Sequence, residues 1–176
     1  ALWAREGGRA DPSAHAERDG ISISASLFTD EDRMMELFHA NLRLAHLLPI
    51  YVELVNMGQS PIEIKRIRIE ATDQRGNSLA YLAPRAVIKR LYQYYDLTFY
   101  PVASRKELEA QFKETAFDLE HNLASGGRRQ GFIFLDVPRW FDPLAAFDRL
   151  TLTFQRILRT GSGDEKSISL VIGESD

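Results

Sequence analysis

Alternation of apolar and polar side chains across residues 49–71 is what most constrains the fold of this chain. Ile50, Val52 and Leu54 share one phase and Tyr51, Glu53 and Val55 the other. A period of two is that of an extended strand, so one face can be buried while the other meets water. Asn-Met-Gly-Gln-Ser-Pro then interrupts the run, and Ile62, Ile64, Ile67 and Ile69 resume it. The reading is strand, tight turn, strand. Ile62 and Ile64 are out of phase with Ile67 and Ile69, so one extra residue near Lys65–Arg66 must restore the inward direction, and a β-bulge is expected there. The architecture predicted from this pattern is an antiparallel β-sandwich.

Further strands follow from the same reasoning. Ile21, Ile23, Ala25 and Leu27 alternate with serines, and Ser78–Leu82 resumes a strand after the turn Asp73-Gln-Arg-Gly-Asn77. Leu150, Leu152 and Phe154 alternate with threonines, and Ile168, Leu170 and Ile172 do so beyond a Gly161-Ser-Gly-Asp164 loop. Gly131-Phe-Ile-Phe-Leu-Asp-Val137 is too continuously apolar for a half-exposed strand and reads as a central one, covered on both faces. Counting 21–28, 50–56, 61–71, 78–82, 131–137, 149–158 and 167–173 gives about seven strands, the number of an immunoglobulin-like fold, although the Cys–Trp–Cys marks of antibody domains are missing.

Helical signals interrupt the strands at about 30–40, 85–95 and 104–120. Thr29 or Asp30 can cap the first, whose acidic start suits the helix dipole. Residues 41–48 read as an irregular approach or short strand. Pro84 opens the second helix, with Val87, Ile88, Leu91 and Tyr95 on one face. Ser104-Arg-Lys-Glu107 is a capping box for the third, in which Leu108, Phe112, Ala116, Leu119 and Leu123 recur at intervals of three and four, with Ser125-Gly-Gly127 as a stop. Residues 1–19 read as a flexible arm whose Trp3 is a candidate contact for a partner, and 20–176 as one domain.

Chemistry is harder to find. The chain has no cysteine, which removes thiolate metal sites, disulfides and cysteine nucleophiles, and its four histidines lack the spacing of a metal site. There is no Walker loop, Gly-x-Ser-x-Gly or Gly-x-Gly-x-x-Gly, and Gly126-Gly-Arg-Arg-Gln-Gly131 leads into a strand where a phosphate cradle leads into a helix. No cofactor, metal or catalytic residue is expected, and the protein is read as a non-enzyme. A net charge of −3 gives no field that would gather nucleic acid.

One segment has unusual composition. Leu91-Tyr-Gln-Tyr-Tyr-Asp-Leu-Thr-Phe-Tyr100 holds four of the six tyrosines, flanked by Arg85, Lys89, Arg90, Arg105 and Lys106. Aromatic bodies with polar tips suit interfaces. The candidate interaction surface is therefore Arg90, Tyr92, Tyr94, Tyr95, Phe99 and Tyr100, set against the plainer reading that Tyr92, Tyr95 and Phe99 pack the helical insertion onto the sheet.

Leu37-Phe38 through Leu42, Leu48-Pro-Ile-Tyr-Val-Glu-Leu-Val-Asn56 and Gly131-Phe-Ile-Phe-Leu-Asp-Val-Pro138 together resemble a group of uncharacterised bacterial exported proteins and lipoproteins with immunoglobulin-like sandwiches. The resemblance implies export and architecture and carries over no active site. A sandwich core accounts for the sequence and no convergent set of nucleophile, base and oxyanion donors appears in it, so the protein is read as a periplasmic or outer-membrane-associated binding or structural accessory module that engages partner proteins. A chain opening Ala-Leu-Trp fits removal of an export signal or a trimmed boundary, and a lipid anchor would need a cysteine upstream of Ala1. The composition suits the cytoplasm equally well. The alternative function is a carrier or sensor of a small hydrophobic or carbohydrate ligand, held between the helical insertion and the sheet by Tyr92, Tyr94, Tyr95, Phe99 and Phe112.

Overall fold

The structure, a computed structural model, describes residues 13–95, 104–142 and 147–173. Among these are eight strands: β1 Ser13–Arg18, β2 Ile21–Leu27, β3 Leu47–Asn56, β4 Arg68–Asp73, β5 Ser78–Leu82, β6 Arg128–Asp136, β7 Arg149–Ile157 and β8 Lys166–Gly173. The helices are α1 Glu31–Phe38, α2 Pro84–Tyr95 and α3 Arg105–Thr115. All strand neighbours are antiparallel, in the order β1-β2-β3-β6-β5-β4-β7-β8. The two ends of that order pack against each other, so the sheet is nearly closed. Arg18 donates to the Ser167 carbonyl at 3.3 Å and Lys166 lies 3.2 Å from Asp19, which ties the β1–β2 turn to β8. Covering both edges in this way removes a template for unwanted strand addition.

The alternating residues read from the sequence line the inside. Ile21, Ile23 and Leu27 of β2, Ile50, Val52 and Leu54 of β3, Leu150, Leu152 and Phe154 of β7 and Ile168, Leu170 and Ile172 of β8 form one buried cluster. A second cluster lies outside the sheet, between β3 and β6 on one side and the three helices on the other: Phe28, Met34, Phe38, Leu42, Leu91, Leu108, Phe112, Phe132 and Phe134. Strand β6 belongs to both, with Ile133 and Leu135 inward and Phe132 and Phe134 toward the helices. That double duty is why residues 131–135 are apolar without a break.

Three readings are corrected. The first concerns the expected seven strands: Ser13–Arg18 is a strand, paired with β2, inside the segment read as an arm. Its inward side chains are only Ala14 and Ala16, too small to give an apolar signal. The telling mark was Asp19-Gly20, whose positive φ values of 51° and 72° make a two-residue hairpin turn. Second, β3 and β4 do not pair with each other. Strand β3 lies between β2 and β6, β4 lies between β5 and β7, and the segment joining them crosses from one half of the sheet to the other. The phase change is made on that crossing by a 3₁₀ turn, Ile64–Arg66, and no bulge is needed within a continuous strand 61–71. Residues 41–48, read as an irregular approach or short strand, hold both: a 3₁₀ turn at Leu42–Ala45 and the start of β3 at Leu47.

The last correction is the end of α3. The capping box forms as read, with Ser104 accepting from the Glu107 N–H and Glu107 accepting from the Ser104 N–H at 2.8 Å. The helix stops at Thr115, well short of 120, because Ala116 turns extended and the Phe117 N–H donates to the Phe132 carbonyl at 2.8 Å. Phe117 and Leu123 thereby enter the inner core, and Leu123 bridges to Ile62. This approach needs Gly131: a Cβ there would stand 2.6 Å from the Phe117 nitrogen and 2.7 Å from the Ala116 carbonyl. Gly131→Ala should therefore cost about 1–3 kcal/mol, as overpacking against backbone does. Chemical denaturation checks this, and an unchanged midpoint would refute the close approach.

The β4–β5 hairpin forms as predicted, and one carboxylate organises its turn. Asp73 accepts from the Arg75 and Asn77 backbone N–H groups at 2.9 and 2.8 Å and from the Asn77 side-chain amide at 2.8 Å. Burial by itself would raise the Asp73 pKa, but these hydrogen bonds prevail and hold it below the usual carboxylate value. A depressed folded pKa contributes stability fully present above the unfolded value, near 3.9, and lost as pH falls through the folded one. Asp73→Asn should thus be less stable than wild type at pH 7, with the gap closing in acid. Urea midpoints across that range test the sign.

Candidate functional site

The sequence-picked surface falls on α2, whose Val87, Ile88 and Leu91 are buried against the helical layer. Tyr92 and Tyr95 are half-buried. The Tyr92 ring lies beneath the Arg105 guanidinium at 5.6 Å, and the Tyr95 hydroxyl donates to the Asn41 carbonyl at 2.7 Å. Burial first, and then the neighbouring Tyr94 phenol, push the Tyr95 pKa up against the lowering effect of that bond. Tyr94 differs, being 50% exposed with its ring edge-on to Tyr95 at 4.8 Å. Phe99, Tyr100 and Trp3 lie outside the described residues.

Arg90 is engaged within the fold. Its guanidinium donates to both carboxylate oxygens of Asp136, at 2.8 and 3.1 Å, pinning α2 to the end of β6. The bonds to Asp136 outweigh the burial that opposes them and raise the Arg90 pKa. Such forked pairs are geometrically specific as well as strong.

Beside this pair is a depression of about 290 Å³, lined by Ala45, His46, Arg90, Gln93, Tyr94 and Arg139. Three pieces of chain build it. His46 terminates the 3₁₀ turn in left-handed geometry, at φ 57°, and its Nδ1 is buried without a hydrogen-bond partner. The exposed side of the last α2 turns supplies Arg90, Gln93 and Tyr94. The segment after β6 supplies Arg139, and next to it Trp140 is 64% exposed. Sequence reasoning missed His46 and Arg139 as neighbours of Tyr94. The available signal was an Arg-Trp pair directly after Pro138, a charged group and a large aromatic in a segment that does not alternate.

The space between helices and sheet is filled by rings. Phe38 stacks on Phe112 at 5.2 Å and meets Phe132 and Phe134 edge-on at 5.2 and 5.8 Å, and Phe112 and Phe134 are themselves buried. Elsewhere, a broad depression of about 450 Å³ runs over the outer faces of β1, β2 and β3, bordered by His15, Ser24, Ser26, Tyr51 and Glu53. Arg129 is largely covered and donates to the carbonyls of Asp118, His121 and Asn122. No group of three or more histidine or acidic side chains is placed to hold a metal among the described residues.

No protein-family model matches the chain, and no curated protein does. Solved structures offer remote likenesses. The GAE domain of yeast GGA1 superposes with a TM-score of 0.43 at 11% identity, over 90% of this chain and 94% of that one. A DUF4426 family protein from Pseudomonas aeruginosa gives 0.36 at 9% identity, over 94% and 98%. A conserved hypothetical protein from Bacillus anthracis gives 0.35 at 9%, over 92% and 99%. These scores are too low to bear on what this chain binds.

Proposed function

We propose that the protein is a non-enzymatic binding module on an immunoglobulin-like sandwich scaffold, acting outside the cytoplasm as an accessory to an envelope assembly and meeting a protein partner through its helical layer. The observation that carries this reading is the pair Tyr94 and Trp140. Both are half or more exposed, Tyr94 at the shallow, partly polar depression and Trp140 next in sequence to Arg139, which lines it, while most other aromatic rings of the helical layer are packed away. Exposed aromatic residues are the usual anchors of protein interfaces. The extracytoplasmic setting follows the resemblance of residues 37–42, 48–56 and 131–138. No described helix is long and apolar enough to cross a membrane. The carrier reading has less support, since Phe112 and its neighbours close the gap in which a ligand would sit.

The test is a cross-linked pull-down from the source cells with wild type and a Tyr94→Ser/Trp140→Ser double variant. Wild type should retain one envelope protein in stoichiometric amount. The double variant, with unchanged melting, should lose it by about tenfold or more. Equal retention by both, or fractionation of the protein with the cytoplasm, would overturn the proposal.

A further inference from the structure

The charges around the depression point to the chemistry of what enters it. Two guanidiniums, an imidazole and a primary amide line the walls. The nearby carboxylate, Asp136, is occupied at both oxygens by Arg90. Arg139 is exposed and has no acidic partner among the described residues. Arg90 uses one N–H of each terminal nitrogen on Asp136, and a guanidinium carries five donors, so further donors remain. Tyr94 offers a half-exposed ring beside these groups.

We infer that the depression is an anion-recognition pocket for a carboxylate side chain of an acidic peptide segment. Arg139 takes the carboxylate as a fork, Gln93 offers a further hydrogen bond, and Tyr94 covers the adjoining apolar part of the peptide. The inference rests on the binding-module reading and deepens it by naming the chemistry of the partner. Charge complementarity favours a peptide with glutamates over a neutral one, since a basic wall with an engaged counter-charge rewards added negative charge.

A fluorescein-labelled peptide of alternating glutamate and phenylalanine, with a twin carrying glutamine for each glutamate, tests this by anisotropy on the full chain. The acidic peptide should bind, more weakly as salt rises. Arg139→Glu should weaken it by about tenfold to hundredfold, the span of a lost charged hydrogen bond. Arg139 is exposed, so melting should not change, and Arg139→Lys should restore part of the affinity. Equal binding of the neutral twin, indifference to Arg139→Glu, or no binding of the acidic peptide would each overturn the inference. Inorganic phosphate binding at Arg139 without peptide binding would mean a small-anion site and overturn it too. In the cell pull-down, loss of the partner with the Tyr94/Trp140 variant but not with Arg139→Glu would sink the anion pocket and leave the module standing.

Discussion

Asn56→Leu is expected to destabilise the protein by about 3–5 kcal/mol, as removal of a buried network of several hydrogen bonds does. Asn56 ends β3 and is fully buried. Its Nδ2 donates to the carbonyls of Ser60 and Ala124 at 2.9 and 3.0 Å, and its Oδ1 accepts from the Gly58 N–H at 3.1 Å and from Arg159 at 2.7 Å. Arg159 continues outward to the carbonyls of Ser60, Asp19 and Gly20, at 2.9, 3.1 and 3.2 Å. One amide and one guanidinium thus hold together the β1–β2 turn, the crossing after β3 and the loop before β6. Leucine fills a similar volume but leaves these partners desolvated, and that penalty exceeds the modest gain of making the bonds in the first place. The melting temperature should fall by about 10 °C. Urea and thermal unfolding read the loss, and a change below about 1 kcal/mol would mean that water replaces the amide at little cost.

Position 58 is coupled to the same network. A Cβ there would overlap the Arg159 guanidinium, so Gly58→Ala must displace the arginine. Asn56→Leu and Gly58→Ala should therefore be less than additive when combined, because each breaks what the other relies on.

Legibility in the sequence tracked how local the cause was. Period-two runs such as Ile21–Leu27 and Leu150–Phe154 announced their strands and their inward faces, because a sheet with one wetted face imposes the alternation residue by residue. The capping box at Ser104 was equally local, being two reciprocal bonds within four residues. What failed was set by contacts far along the chain. Leu119 and Leu123 fit a helical repeat after Phe112, yet the 116–117 backbone leaves the helix for β6, with Gly131 making room. Pairing was equally remote: the run 49–71 reads as a hairpin until β6, arriving from far downstream, takes the place beside β3. The site divided in the same way. Tyr94 was visible as part of a tyrosine-rich run, whereas Arg139 reaches it only through the course of β6, and the Arg90–Asp136 pair spans 46 positions.

The second large effect is expected at Phe38, and it separates the helical layer from the sheet. Phe38 is fully buried at the end of α1, with Phe28 at 6.2 Å, Phe112 and Phe132 at 5.2 Å and Phe134 at 5.8 Å between ring centroids. Phe38→Ala removes the ring that all four share and should cost about 3–5 kcal/mol, the range for Phe→Ala in a core. The loss falls on one side of the molecule. The cluster of Phe38 joins α1, α2 and α3 to the outer faces of β3 and β6, while β7 and β8 belong to the inner core alone. Hydrogen exchange in the variant should therefore quicken in α1 and α3 at denaturant concentrations where the β7–β8 amides stay protected. Since α2 carries Tyr94 and Gln93, affinity for the acidic peptide should fall as well, although residue 38 does not line the depression. Uniform loss of protection across helices and strands would show instead that the two clusters unfold as one cooperative unit.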